Sequence, residues 1–260
     1  MRASSLLLTL LLVLPLAACG DGGNASDPVE LDPPAKTITK PAVAPTKTVA
    51  PIAATAEPAV DPFAERRASY QPGMLDPTVA KEQAPATFTV KFETTKGDML
   101  IDVTRAWAPN GADRFYNLVK IGYFDDTAVF RVIGGFMAQL GISSDPKVSE
   151  VWRAAKIDDD PVKESNLPGY VTFAMAGPNS RTTQIFFNFV DNNRLDPMGF
   201  APFGKLRDME TLNELYGGYG EGAPRGRGPH QGLLQSKGGP YLKEKFPLLD
   251  YVTKASIVTP

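Results

Sequence analysis

Apolar and polar residues alternate from Phe88 onward: Phe88, Val90 and Phe92 are interleaved with Thr89, Lys91 and Glu93. After a Lys96-Gly97 turn, Met99, Ile101 and Val103 repeat the pattern. A period of two marks a half-buried strand, so this stretch predicts a β-hairpin. Pro109 then opens a helical stretch with Ala112, Phe115, Leu118 and Val119 on one face and Gly122 as terminator. Further strands are predicted at 129–133, 136–140, 170–176, 185–190 and 200–206, with a last one at 251–258. A second helix is predicted after Asp208 as N-cap, with Met209, Leu212 and Leu215 inside and Gly217 at its end. Many short strands and two helices predict a mainly β domain over residues 86–260, a closed barrel capped by helices.

The first 85 residues have a different texture. Leu6 to Leu16 form an apolar run broken only by Thr9 and Pro15. It falls short of the roughly 20 residues needed to cross a bilayer, but suits the core of a signal peptide over residues 1–18. The run ends in Leu16-Ala17-Ala18-Cys19-Gly20, which resembles the bacterial lipobox, in which the cysteine is lipidated and becomes the mature N-terminus. The resemblance implies a lipid on Cys19 and a place in the bacterial cell envelope, facing the periplasm or the exterior. An ordinary cleaved signal with a chance cysteine is the competing reading, and the choice of membrane stays open. Residues 19–85, rich in Ala, Pro and Thr, show no usable hydrophobic period and read as a flexible linker. Within it, residues 61–67 could form a helical turn, with no function assigned.

Composition mainly removes possibilities. A formal net charge of -2 gives no electrostatic case for nucleic acid. With one Cys and one His, a four-ligand zinc site and an intrachain disulfide are both out of reach. A catalytic triad could use only His230, which lies in a Gly/Pro-rich stretch poorly suited to fixing an imidazole. The acidic run Asp158-Asp159-Asp160 reads as a solvated loop rather than a metal site.

Two blocks reach beyond fold class. The first is Phe130-Arg131-Val132-Ile133-Gly134-Gly135-Phe136-Met137-Ala138-Gln139. The second runs from Gly169 through Thr172-Phe173-Ala174-Met175-Ala176-Gly177-Pro178-Asn179, followed by Thr183-Gln184-Ile185-Phe186-Phe187. Their order and spacing, with Leu195-Asp196 and Phe203-Gly204 downstream, closely resemble the signature blocks of cyclophilins across residues 87–258. The resemblance implies an eight-stranded antiparallel barrel with a helix over each end, and isomerisation of the bond before proline. It also implies a substrate groove on the barrel's outer face. By motif position, Arg131 resembles the catalytic arginine, while Phe136, Met137, Phe186 and Leu195 resemble the apolar proline pocket. Gln139, Ala174, Ala176 and Gln184 resemble residues that contact the peptide backbone.

These residue types suit the reaction. Amide resonance opposes rotation with a barrier of roughly 18–20 kcal/mol. No bond is made or broken, so neither cofactor nor metal is called for. At the twisted transition state the proline nitrogen regains its lone pair, and a guanidinium aimed there binds it better than the planar ground state. Arg131 can do this without titrating. The apolar pocket would grip the ring and exclude water, and Gln139 could hold the moving carbonyl.

The chain departs from the best-known cyclophilins at three positions. Met175 stands where an Asn separates the groove alanines, Arg194 where a Trp precedes the Leu-Asp pair, and Phe200 where the pocket carries a histidine. Loss of the indole puts cyclosporin binding in doubt. The leading expectation is a monomeric isomerase acting on proline-containing segments of exported proteins and tethered to the membrane through Cys19. A peptide-binding or chaperone-like module on the same fold, with little catalysis, is the alternative, and a purely structural envelope lipoprotein is the third. The Gly-rich segment 217–240 reads either as a loop beside the groove or as a decorated connection.

Overall fold

The alternation around Phe88 folds as the hairpin it predicts. In the computed structural model, which describes residues 61–258, strand β1 (Thr87–Thr94) pairs antiparallel with β2 (Gly97–Thr104) across the Thr94–Gly97 turn. Every second residue of both strands is buried, and Phe92, Ile101 and Val103 are sealed from solvent. Helix α2 (Pro109–Lys120) lays Ala112, Phe115, Leu118 and Val119 on this surface. Phe115 meets Phe92 and Phe203 at ring-centroid distances of 6.0 and 4.9 Å. Burying each such ring contributes roughly 1.5–3 kcal/mol, so the aromatic cluster is a main source of cohesion. Gly122, at φ +75°, lets the chain turn away immediately after the helix.

The remaining strands are β3 (Thr127–Ala128), β4 (Arg131–Ile133), β5 (Met137–Leu140), β6 (Tyr170–Phe173), β7 (Ile185–Asn188), β8 (Pro202–Leu206) and β9 (Tyr251–Val258). They form one antiparallel sheet in the order β3-β9-β1-β2-β8-β6-β7-β5-β4. Instead of the expected closed eight-stranded barrel, the sheet is curled, and no hydrogen-bond ladder joins its edges β3 and β4. The two edges are nonetheless halves of one short segment. At its break the Val129 N–H bonds to the Asp250 carbonyl, and the Phe130 ring turns into a second apolar cluster with Ala128, Ile142, Leu234, Leu242 and Leu249. A single extended strand is thereby split in two.

The helices differ more from expectation. After Asp208 only one turn forms, α4 (Glu210–Asn213), because the chain is drawn off where Tyr216 N–H bonds to the Asp250 carboxylate at 2.7 Å. The second substantial helix is α3 (Pro146–Ala154), N-capped by Asp145 and burying Val148 and Trp152. Two further short helices, α5 (Gln231–Lys237) and α6 (Gly239–Lys245), lie where the sequence reads as a Gly-rich loop and its sequel. His230 caps α5, its Nδ1 accepting the Gly232 and Leu233 N–H groups.

The expected flexible linker to residue 85 is corrected over its last part. Residues 61–85 pack on the domain, starting with the short helix α1 (Ala64–Arg67), and Met74 and Ala84 enter the main core. Arg67 pairs with the buried Asp145, and Asn117 exchanges hydrogen bonds with the backbone of Glu82. These are polar tethers at irregular spacing, which hydrophobic periodicity does not register. The acidic run is also more than a solvated loop: Asp160 is buried, accepts the Asn110 and Gly111 N–H groups at the start of α2, and pairs with buried Arg181. The expected signal peptide, Cys19 and the rest of the expected linker, through residue 60, lie outside the described residues.

Candidate active site

Strand alternation divides two signature segments between two apolar clusters. In β5, Ala138 and Leu140 point into the main core, whereas Met137 and Gln139 face outward. In β7, Ile185 and Phe187 point inward and Phe186 outward. Met137, Phe186 and Leu195 are therefore buried, yet in a separate outer cluster bordered by Ile133, Phe136, Ala174 and Phe200. Cross-strand register aligns the polar residues on the same face. Arg131 is opposite Gln139, and Gln139 opposite Phe186, which places their side chains side by side.

A cleft of about 430 Å³ opens over this face. Its walls include every groove residue expected from the sequence: Arg131, Phe136, Met137, Gln139, Ala174 and Met175, and also Ala176, Gln184, Phe186, Leu195 and Phe200. Arg131 Nη1 donates to Gln139 Oε1 at 2.9 Å, and Gln139 Nε2 donates to Gln184 Oε1 at 2.9 Å. The Met137 sulfur is 3.7 Å from the same Nη1, so this edge of the guanidinium borders the apolar pocket. Phe186 and Phe200 close the pocket edge to face, with centroids 5.8 Å apart.

Buried polar contacts hold the walls. Leu195 lies in a 3-10 turn (Asn193–Met198) that ends at Gly199 with φ +88°. Asn166, fully buried, donates to the Phe200 carbonyl and the Asp196 carboxylate and accepts from Thr172 Oγ1. Asn192 Nδ2 holds the Phe136 carbonyl at 2.9 Å. At Gly141, just after β5, a Cβ would lie 2.4 Å from the Thr183 carbonyl oxygen. Only glycine therefore lets the chain pass so close to the segment that presents Gln184.

Several neighbours of the cleft were not foreseen. Ser180, Thr182, Arg225, Gln231 and Glu221 also line it. Glu221 grips Arg131 with both carboxylate oxygens, Oε1 to Nε at 2.7 Å and Oε2 to Nη2 at 2.6 Å. The Arg131 guanidinium in turn holds the Glu221 carboxyl below the usual carboxylate range. An acid in a Gly-rich stretch gives no sequence signal for this, because the partners are 90 residues apart. Arg194 is exposed, with its guanidinium 4.8 Å from the centroid of the Phe136 ring.

The family model for cyclophilin type peptidyl-prolyl cis-trans isomerase/CLD matches residues 89–224. The chain belongs to this family. It is therefore a peptidyl-prolyl cis–trans isomerase of cyclophilin type. The isomerase cyp18 of Streptomyces antibioticus is 30% identical over 148 residues, covering 53% of this chain and 88% of that protein. A peptidyl-prolyl cis-trans isomerase of Acinetobacter baylyi is 33% identical over 141 residues, 51% of this chain and 73% of its own length. Among solved structures, a cyclophilin of Cryptosporidium parvum superposes with a TM-score of 0.51 at 20% identity. That match covers 67% of this chain and 99% of the parasite protein, and so concerns the fold. The parasite cyclophilin is also known in the presence of the dipeptide Ala-Pro.

Proposed function

We propose that this cyclophilin accelerates rotation about Xaa-Pro bonds through Arg131, with the proline ring seated among Phe136, Met137, Phe186, Leu195 and Phe200. The observation that carries the reading is the position of Arg131 Nη1, between Gln139 Oε1 and the sulfur of the buried pocket residue Met137. A ring in the pocket brings its nitrogen toward that edge. As the preceding carbonyl swings out of plane, the nitrogen lone pair becomes an acceptor for the guanidinium, an interaction the planar ground state lacks. Gln139 has its carbonyl oxygen engaged by Arg131 and one amide hydrogen by Gln184. The second amide hydrogen remains for the moving carbonyl. Ala174, Met175 and Ala176 supply backbone along the groove, where a side-chain change at Met175 is of little consequence.

The clients are proposed to be exported proteins. Residues 1–18 act as a lipoprotein signal, Cys19 carries the lipid, and the chain from there to about residue 60 spans from membrane to isomerase. The support is the apolar run Leu6–Leu16 followed by Leu16-Ala17-Ala18-Cys19. Among the described residues, no helix is long and apolar enough to cross a membrane.

The test is isomerisation of a short proline peptide by the purified full chain, compared with Arg131→Ala. Retained folding with loss of about 10² or more in kcat/KM supports the arginine role. An Arg131→Ala chain as active as the wild type refutes it. For anchoring, Cys19→Ser is expected to move the protein from the membrane to the soluble fraction; equal membrane retention would contradict lipidation.

A further inference from the structure

Glu221 stands in the segment between α4 and α5, and nothing in the arginine chemistry above requires it. We propose that Glu221 is a positioning residue for the isomerase reaction, locking one edge of Arg131 so that Nη1 is held toward the proline pocket. The role presupposes that Arg131 is the arginine that meets the proline nitrogen.

Glu221 takes Nε and Nη2 in a fork, and Gln139 takes one hydrogen of Nη1. The other Nη1 hydrogen points at the Met137 sulfur, 3.7 Å away, a weak acceptor that a proline nitrogen can displace on that edge. A bidentate carboxylate fixes the guanidinium plane as well as its position, which a single contact with Gln139 does not.

The carboxylate is itself held. Its Oε1 accepts the Gly222 N–H at 2.8 Å. The Glu221 carbonyl accepts the Gly228 N–H at 2.8 Å, Ala223 N–H bonds to the Gly228 carbonyl, and Gly226 N–H to the Gly222 carbonyl. A Cβ at Gly226 or Gly228 would lie 2.2 or 2.9 Å from the Glu221 carbonyl oxygen, so both positions need glycine for the ring to close. Tyr219, just before it, packs edge to face on Phe246 with centroids 5.1 Å apart. The glycines thus build a tight hydrogen-bonded turn that presents Glu221, rather than a slack connection.

Two effects oppose each other. The carboxylate offsets part of the guanidinium charge, which weakens transition-state binding, while its fork prevents Arg131 from leaving the productive position. The Glu221 side chain is 34% exposed, so water screens its charge. Geometry is not screened, and a misplacement of about 1 Å at a reacting group can cost on the order of 10²-fold in rate. Positioning therefore outweighs neutralisation.

The test measures kcat and KM of the full chain for an Ala-Pro peptide with Glu221→Gln, which keeps the shape but loses the charged fork, and with Glu221→Ala. Both should lower kcat by about tenfold or more with KM within about twofold, at unchanged thermal midpoint. The Glu221→Gln loss should shrink markedly on an Arg131→Lys background, since lysine cannot receive the fork. An unchanged or raised kcat in folded Glu221 variants overturns the proposal, as does a full-size loss on the lysine background. If Arg131→Ala alone leaves activity intact, the underlying arginine reading fails instead, so the two failures are distinct. Should Glu221→Ala not fold, the Gln variant and its background comparison decide.

Discussion

The indole N–H of Trp152 donates to the carbonyl oxygen of Met74 at 3.1 Å, joining α3 to a segment 78 residues earlier in the chain. Trp152 is fully buried, and its ring packs edge to face on Tyr123 at 5.6 Å. The neighbouring Asp145, which caps α3, is neutralised by Arg67 from the same N-terminal segment. The catalytic fold is thus completed by residues that precede its first strand.

Deleting the chain up to residue 85 would leave the Trp152 indole without a partner and the Asp145 carboxylate without its cation, holding only the Lys147 N–H of its helix cap. Each abandoned buried group costs about 1–3 kcal/mol. A chain starting at residue 86 is therefore expected to unfold at clearly lower urea concentration than one starting at residue 61. Equal midpoints would show that the segment only decorates the surface.

Asp160 joins two distant segments, the first N–H groups of α2 and Arg181. Asp160→Ala would leave Arg181, whose side chain is only 2% exposed, with Asp159 and the Asp158 carbonyl as its remaining partners. The expected loss is about 1–3 kcal/mol, the cost of leaving a buried donor unpaired. Chemical denaturation checks it, and Asp160→Asn should lose less because one helix N–H can still be capped.

Phe200 lines the cleft beside Phe186. It meets Phe186 edge to face, a type of pair worth about 0.5–1.5 kcal/mol beyond area burial. Phe200→Ala is expected to raise KM for a proline peptide about two- to tenfold while kcat changes little. A fall in kcat with KM unchanged would move Phe200 from substrate grip to transition-state stabilisation.

Tyr123 lies behind the segment that presents Gln184, its hydroxyl bonded to Thr183. Burial pushes its phenol up to about 12, against its hydrogen bond to Thr183. The unfolded chain would release this proton near pH 10, two units before the folded protein. Above that pH the folded state binds more protons, so stability is full below about pH 10 and declines as pH rises toward 12. Tyr123→Phe should flatten this part of the alkaline denaturation curve. A slope identical to the wild type would assign it to other groups.

The sequence was most readable where one residue's neighbours along the chain determine its environment. The hairpin around Lys96-Gly97 and the face of α2 follow from local period alone. Periodicity could not distinguish the two apolar clusters, since Met137 and Phe186 would have been placed in the main core, and only the motif resemblance assigned them to a groove. The resemblance could not supply Glu221, which lies outside both signature blocks. Nor could it place Met74 under Trp152. Such pairings depend on how distant segments come together, and no single window contains both partners. Asp208 failed for a different reason. Its side chain accepts Glu210 N–H at 3.1 Å, but Met209 takes the N-cap position and the Tyr216–Asp250 hydrogen bond draws the chain off after one turn.

The split between β3 and β4 has a bearing on the company this enzyme keeps. An isomerase of prolyl bonds meets chains that are wholly or partly unfolded, and such chains seek exposed strand borders on which to grow a further ladder. Here the sheet's two borders are only two and three residues long, and they belong to a single bent segment. At β3 and β4 themselves, a client ladder would find no more than three residues of backbone template.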